Sequence, residues 1–255
     1  MALTAPWNAE LAGRLVESNF VQWQYGARFL PAEAVPLHPV VEEASRLVPE
    51  SGVERHRFFE IAAGSRPALE FWVSQELFVT GVFAQLLSLT GSALVNVHQR
   101  ARFNLVLHGE HGGVKDGVAR ASHPWLLHRL AHSMGIAPDS VTPAEPTYDF
   151  LRDLASAMGS PVAALGALGV GNEQMLVPEY GAVKRAFESA APEVEHGEFL
   201  NANIDEDTEH SALIAHIASE LIAHDPSLAQ DYLSAARSSV SARMRYYDRL
   251  ADLFL

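Results

Sequence analysis

The chain contains no cysteine. Disulfide frameworks, thiolate zinc sites, iron–sulfur clusters and cysteine nucleophiles are therefore excluded. Positive charge is also scarce: 18 Lys and Arg stand against 31 Asp and Glu, a formal charge of −13. Such a surface repels phosphate backbones, which argues against a nucleic-acid or anionic-membrane partner. Long hydrophobic runs are missing too. The most apolar stretch, Leu69 to Leu89, is interrupted by Glu70, Gln75, Glu76 and Gln85, so no membrane span is expected. The N-terminal MALTAPWNAELAGRL has no basic region followed by an apolar one, so no signal peptide is expected and a cytoplasmic location is the default. No HExxH pair, Walker A loop or GxSxG elbow occurs.

What is present is an ordinary apolar fraction, 48%, in 255 residues, enough for one large core. Helical periodicity dominates and alternating strand patterns are few. Helices are expected over Asn8–Phe20, through Val41 to Leu47, from near Val53, over Ala68–Leu89, from about Leu94 to Gly109, from His123 to Gly135, and over 146–158, 160–188, 196–224 and 226–253. Pro161, Pro192 and Pro226 mark helix starts. Thr142-Pro143-Ala144-Glu145 has the pattern of a capping box. Nothing divides the chain, so the expectation is one all-α domain over 1–255, with N-terminal helices over 1–64 and the main core over 65–255. Gly166, Gly169 and Gly171 in GALGVG have the wrong order for a dinucleotide fingerprint and no strand before them. Close helix packing is their expected role.

Twelve histidines and a surplus of carboxylates offer imidazole and oxygen donors, which suit iron, manganese or zinc. In FLNANIDEDTEHSALIAHIASEL, Asn203, Asp207 and His210 fall at i, i+4 and i+7, one stripe of a helix. A carboxylate and an imidazole one turn apart can share a metal. Taken alone, the triplet also reads as an exposed acidic helix start, since Asp205, Glu206 and Glu209 accompany it. In the Asn104–Ile136 segment, Glu110 ends one helix and His123 opens the next across a glycine-containing turn, with His108, His111, His128 and His132 as competing donors. Glu173 follows a small-residue apolar run and is expected on a buried face, where a lone carboxylate needs a partner. Glu179, after Pro178, reads as solvated. Glu76 sits in an apolar helix as a ligand, an acceptor behind one, or the partner of an arginine such as Arg100 or Arg102.

In chain order these segments resemble the heme-oxygenase-like di-iron oxidase and oxygenase family, relatives of the thiaminase-II and pyrroloquinoline-quinone-synthase folds. The family's NLxxExG…HPxLxxxLxxxLGI helix pair is matched by Asn104-Leu105, Glu110, Gly112, His123-Pro124, Leu127, Leu130 and Gly135-Ile136. Its HxxxDxxH helix is matched by Asn203-x-x-x-Asp207-x-x-His210. The resemblance covers residues 65–255 and implies a single helical bundle of about seven or more helices. It also implies Fe(II) ligands at Glu110, His123, Glu173, Asp207 and His210, two irons per chain, and dioxygen as co-substrate.

Asn203 departs from the pattern. An amide oxygen is a weaker donor than imidazole, which implies one labile iron position, with Glu76 as a replacement carboxylate. The implied reaction is oxidation of a small substrate such as an amino acid, by N-oxygenation, desaturation or oxidative C–C cleavage, in a chain of a kind often found as a homodimer. The alternatives are a metal-independent quinone-synthase-like oxidase with a histidine- and arginine-rich pocket, and a noncatalytic helical binding homologue.

Overall fold

Prolines and capping side chains set most of the helix boundaries. A computed structural model describes residues 35–255, apart from residue 116, together with positions 13 and 16. The helix expected over Asn8–Phe20 thus lies outside the described residues.

The described chain begins with three short helices, α1 (Pro39–Ser45), α2 (Leu47–Ser51) and α3 (Arg57–Ala63), the last two joined by a 3₁₀ turn at Val53–Arg55. His38 caps α1, its Nδ1 accepting from the Val40 amide at 3.3 Å, so this histidine is a helix start and not a donor in the core. Then comes α4 (Arg66–Ala93), capped by Ser65 with Pro67 in its first turn. By length and composition alone α4 could cross a membrane, although Glu70, Gln75, Glu76 and Gln85 interrupt its apolar stretch. Here it is a core helix, burying Leu69, Trp72, Val73, Val79, Phe83 and Leu87.

α5 (Val97–His111) ends at Gly112, which holds a positive φ of 64°. The chain then forms two short antiparallel strands, β1 (Gly113–Lys115) and β2 (Val118–Arg120), with Val114 opposite Ala119. The expected turn between Glu110 and His123 is therefore a hairpin. Asp116-Gly117 is a sequence signal for a two-residue hairpin turn, and Gly117 carries the φ of 77° that such a turn requires. Ser122 caps α6 (His123–Ser133) through the Trp125 amide, with Pro124 in the first turn.

The capping box expected at Thr142 does not form. α7 (Glu145–Ala157) starts two residues later than that pattern requires, with Ala144 at its cap. Gln75 of α4 performs the task from outside: its Oε1 accepts from the Ala144 amide and from the Thr147 hydroxyl, both at 2.7 Å. A buried side chain from a distant helix has displaced the local cap.

The helix expected over 160–188 is two helices, α8 (Pro161–Leu168) and α9 (Met175–Ala190), joined by a π-helical segment at Gly169–Gln174. Pro178 lies inside α9. It has no amide hydrogen to give the Gln174 carbonyl, and its ring crowds that carbonyl. The wide turn ends at that same residue, where a π-bulge relieves the mismatch. GALGVG is a close-packing element, as expected. A Cβ on Gly166 would stand 2.4 Å from the Tyr232 carbonyl oxygen, on Gly169 2.5 Å from Ile214, and on Gly171 2.1 Å from Ser239 Oγ.

α10 (Gly197–His224) and α11 (Ala229–Asp252) complete the bundle. α11 lies along α7 and α8, and α9 packs between α10 and α3. α10 crosses α5, α6 and the π segment, while α4 lies across α6 and α5. Tyr246 and Tyr247 are buried within this chain, and Phe254 meets Phe71 edge-on at 5.6 Å. The C-terminal aromatic cluster thus packs against the chain's own core.

Candidate metal centre

Four segments deliver side chains to one buried point: the end of α5, the start of α6, the π segment and the second turn-pair of α10. On α10 the stripe is buried as spaced, with Asn203, Asp207 and His210 inward and Asp205 and Glu209 exposed. The alternative of an exposed acidic helix start fails for these three. The hairpin brings Glu110 Oε1 to 2.8 Å from His123 Nδ1. His123 and His210 are the buried histidines of the chain, while the competitors His108, His111, His128 and His132 are all exposed. His196, at the start of α10, is turned to the Val194 carbonyl and stacks on Phe187 at 5.0 Å.

Glu173, in the widened turn, is fully buried, with His210 Nδ1 3.4 Å from its Oε2. His210 Nδ1 also lies 3.8 Å from Asp207 Oδ1. Two groups of potential ligands result: Glu110, His123 and Asp207, and Glu110, Glu173 and His210. In each, one donor atom per residue lies within 4.8 Å of the others. Glu110 belongs to both.

The polar atoms here are conspicuously unsatisfied. Glu110 Oε2, His123 Nε2, both carboxylate oxygens of Glu173 and of Asp207, and His210 Nδ1 are buried without a hydrogen-bond partner. Buried polar atoms are normally paired, and orphaned charges cost several kcal/mol. A divalent cation would satisfy all of them, and the mix of carboxylate oxygen and imidazole nitrogen suits iron. The residues therefore fit the metal.

Without metal, protons must do part of that work. Burial pushes the Asp207 carboxyl well above its usual range, and the neighbouring Glu173 and Glu110 push it further. Burial likewise raises Glu173, against the pull of His210. Burial opposes charge on His123, but the adjacent Glu110 outweighs it and the ring is pushed up to about 10. A metal replaces these protons, so binding releases them.

Beside the centre lies a cavity of about 10 Å³, room for one water, lined by Glu110, Thr80, Asn172, Tyr180, Asn203, Glu76 and Arg243. Asn203 lines this cavity, and its Nδ2 gives a hydrogen bond back to the Phe199 carbonyl at 2.8 Å. Glu76 is not a member of either ligand group. It accepts from the Tyr180 hydroxyl at 2.9 Å and faces Arg243 at 3.7 Å, so its arginine is neither Arg100 nor Arg102. Burial, against the attraction of Arg243, pushes Glu76 up to about 7.

Glu179, expected to be solvated, is fully buried. The guanidinium of Arg243 holds both its oxygens, Nε at 2.8 Å from Oε2, and the Tyr247 hydroxyl donates to Oε1 at 2.5 Å. The proline before it suggested a surface turn; the helix instead continues through Pro178 and carries Glu179 inward. No local signal marks Arg243, 64 residues away, as its partner. A larger hollow of about 640 Å³ lies on another flank of the π segment. Val170, Gln174, Thr208 and Ser211 line it, and none of the expected ligands does.

Fold and site together define a class, a helical bundle carrying buried carboxylates and imidazoles at its centre. A family model described as iron-containing redox enzyme matches residues 70–244, and the chain belongs to that family. Its fold is the heme-oxygenase-like one. A CADD-like protein of unknown function from Nostoc punctiforme superposes with a TM-score of 0.65 at 18% identity, over 84% of this chain and 96% of that one. A second crystal structure of that protein gives 0.63 at 16%, over 84% and 94%. A TenA family transcription regulator from a Silicibacter species gives 0.58 at 13%, over 85% and 98%. No curated protein matches the chain.

Proposed function

We propose that this protein is a dioxygen-using oxidase or oxygenase that holds two ferrous ions on Glu110, His123, Glu173, Asp207 and His210 and oxidises a small substrate. The observation that carries the reading is the pair of three-residue ligand groups sharing Glu110, with their buried oxygen and nitrogen atoms lacking any protein partner. Ferrous iron held by these residues would supply the electrons that dioxygen needs.

The chain's own residues do the rest. Glu110 spans both ligand groups and sets their separation. The Glu110–His123 contact fixes the ring orientation. The apolar packing of Val79, Phe83 and Leu176 beside the cavity excludes bulk water from the centre. Glu76, with its Oε2 buried and unpartnered beside that cavity, holds a proton or releases one near neutral pH. Tyr180 steadies Glu76 through the other oxygen. A small amino acid is the substrate class we favour.

Metal-independent oxidation in a histidine- and arginine-rich pocket draws no support, because Arg243 is the only buried arginine among the described residues and is committed to Glu179. Anaerobic titration of the metal-free protein with Fe(II) should show two equivalents bound. Admitting dioxygen should then give a transient visible absorption that the right member of an amino-acid and fatty-acid panel accelerates. Absence of any iron binding would refute the reading.

A further inference from the structure

The buried His123 ring meets a carboxylate at each nitrogen. Nδ1 lies 2.8 Å from Glu110 Oε1, and Glu110 belongs to both ligand groups, so this edge of the ring faces the centre. Nε2, on the opposite edge, lies 3.3 Å from Glu206 Oε2. Glu206 stands one residue before Asp207 on α10, is half-buried, and belongs to neither ligand group. Nε2 itself is buried, and its contact with Glu206 is not aligned as a hydrogen bond here. Among the described residues Glu206 is the carboxylate paired with that nitrogen.

A second observation concerns the same oxygen. A Cβ built on Gly109 would stand 2.5 Å from Glu206 Oε2, so any side chain there would push the carboxylate away. Gly109 is helical, without a positive φ, so backbone conformation does not call for glycine. Its bare backbone gives Oε2 the room to lie against α5 and beside His123. The chemistry of the ring says what that placement does. A neutral imidazole carries one N–H, and its other nitrogen is the donor to a metal. A ring that offers Nδ1 to an ion therefore carries its hydrogen on Nε2, and a buried N–H calls for an acceptor. A carboxylate in that position fixes the tautomer and makes the opposite nitrogen a stronger donor.

Building on the iron centre proposed above, we propose that Glu206 is the positioning residue of His123: it accepts the Nε2 hydrogen and so commits Nδ1 to the ion shared with Glu110 and Asp207. Glu206 does not bind the ion itself. Glu110, Glu173 and Asp207 are buried, whereas the Glu206 side chain is 45% accessible. The imidazole is thus oriented from the solvent side, and its partner can be replaced without opening the core.

The test uses the full chain with isotope-labelled histidine, as wild type, Glu206→Gln and Glu206→Met. Glutamine keeps an oxygen acceptor without the charge, and methionine keeps the length but only a weak acceptor. Each protein is titrated anaerobically with Fe(II) for affinity and loaded separately with Zn(II) for nitrogen–proton NMR of the rings, with His123→Gln identifying the His123 signals. Wild type and Glu206→Gln should show the metal on Nδ1 and the hydrogen on Nε2. Glu206→Met should bind the ion on the His123 side roughly tenfold or more weaker, the loss expected for an outer partner of a metal-bound histidine. Its His123 signals should move from that single tautomer, while far-ultraviolet dichroism stays at the wild-type value. Wild-type affinity and ring signals in Glu206→Met would overturn the proposal and leave the iron centre standing. Zinc on Nε2 of the wild type would overturn it as well, and so would equal losses in both variants, because that is charge acting without an accepted hydrogen. Wild-type protein that binds neither metal would instead remove the centre itself, and the role of Glu206 with it.

Discussion

Replacing Asp207 with asparagine should make the metal-free protein more stable while removing a ligand from one half of its centre. Asp207 is fully buried and neither of its oxygens has a partner. Burial first, and then Glu173 and Glu110, drive its carboxyl to hold a proton. In the unfolded chain the same group ionises near pH 3.9. At pH 7.5, keeping it protonated therefore costs up to about 5 kcal/mol of folding free energy, at about 1.4 kcal/mol per pH unit. At pH 5 the same cost is only about 1.5 kcal/mol.

Asparagine has nearly the same shape and no charge to lose, but its amide inherits the unpartnered position, at about 1–3 kcal/mol. The net gain is about 3 kcal/mol at pH 7.5 and close to zero at pH 5. For a chain of this size that is roughly 6–12 °C in melting temperature at the higher pH. Thermal denaturation followed by circular dichroism at both values, with chelator present, measures it. Saturating Fe(II), added anaerobically, should shrink the variant's advantage. At a hundred times the dissociation constant it stabilises the wild type by about 2.7 kcal/mol per ion, whereas the variant keeps only the Glu110, Glu173 and His210 group, which lacks Asp207. A variant that melts at or below wild type at pH 7.5, or that keeps its advantage at pH 5, would show that Asp207 does not carry a suppressed charge.

Other perturbations test the same structure at separate points. Glu110→Ala and His210→Ala should each abolish iron-dependent turnover while far-ultraviolet dichroism stays at the wild-type value; an active variant would remove that residue from the centre. Metal-free wild type should lose stability as pH rises. His123 has a folded pKa raised to about 10, so its contribution is complete below about 6.5 and is lost as pH climbs through 10. Asp207 and Glu173, also raised, penalise the folded state above the ordinary carboxylate range, and the three slopes add. Melting curves from pH 5.5 to 9.5 check this, and a rising midpoint would contradict it. Gly171→Ala places a Cβ 2.1 Å from Ser239 Oγ and 2.3 Å from Ser239 Cβ, an overpacking worth about 1–3 kcal/mol. Ser239→Gly in the same chain should recover much of the loss. Arg243→Met should cost about 3–5 kcal/mol by stranding Glu179, and adding Glu179→Gln should restore part of it.

How much of this was legible in the residues depends on how local the cause is. The helices of the main core follow from apolar spacing and proline starts, and α4, α7, α10 and α11 begin and end within a few residues of expectation. The errors fall where a distant side chain intervenes. Gln75 reaches from α4 to cap α7, so the Thr142 box is not needed and does not form. On the residues alone, Pro178 argues for a solvated Glu179. In the fold the π segment absorbs the proline, and Glu179 turns in to Arg243. The hairpin between α5 and α6 did leave a local mark in Asp116-Gly117, masked by the helical patterns on both sides.

The centre divides in the same way. Asp207 and His210 are visible because one helix carries both, and periodicity alone puts them on a shared stripe. Glu110, His123 and Glu173 were singled out one at a time, and spacing could not show that three separate elements converge. Family resemblance supplied the convergence; the hairpin and the π segment are its physical means. The histidine choice was likewise out of reach of spacing, since His108 and His111 flank Glu110 as closely as any pattern could ask. Burial alone selects His123 and His210, and burial is a property of the assembled bundle.

Glu206, in an acidic run at a helix start, reads as solvated from the sequence, yet its Oε2 lies 3.3 Å from His123 Nε2. Its distinguishing feature is not on its own helix at all. It is the absence of a side chain at Gly109, on a helix ninety-odd residues away in the chain, which lets Glu206 and His210 approach α5 together. The cause is steric: a Cβ on Gly109 would stand 2.5 Å from Glu206 Oε2 and 2.6 Å from His210 Cε1, and a contact of that kind leaves no periodic trace on either helix.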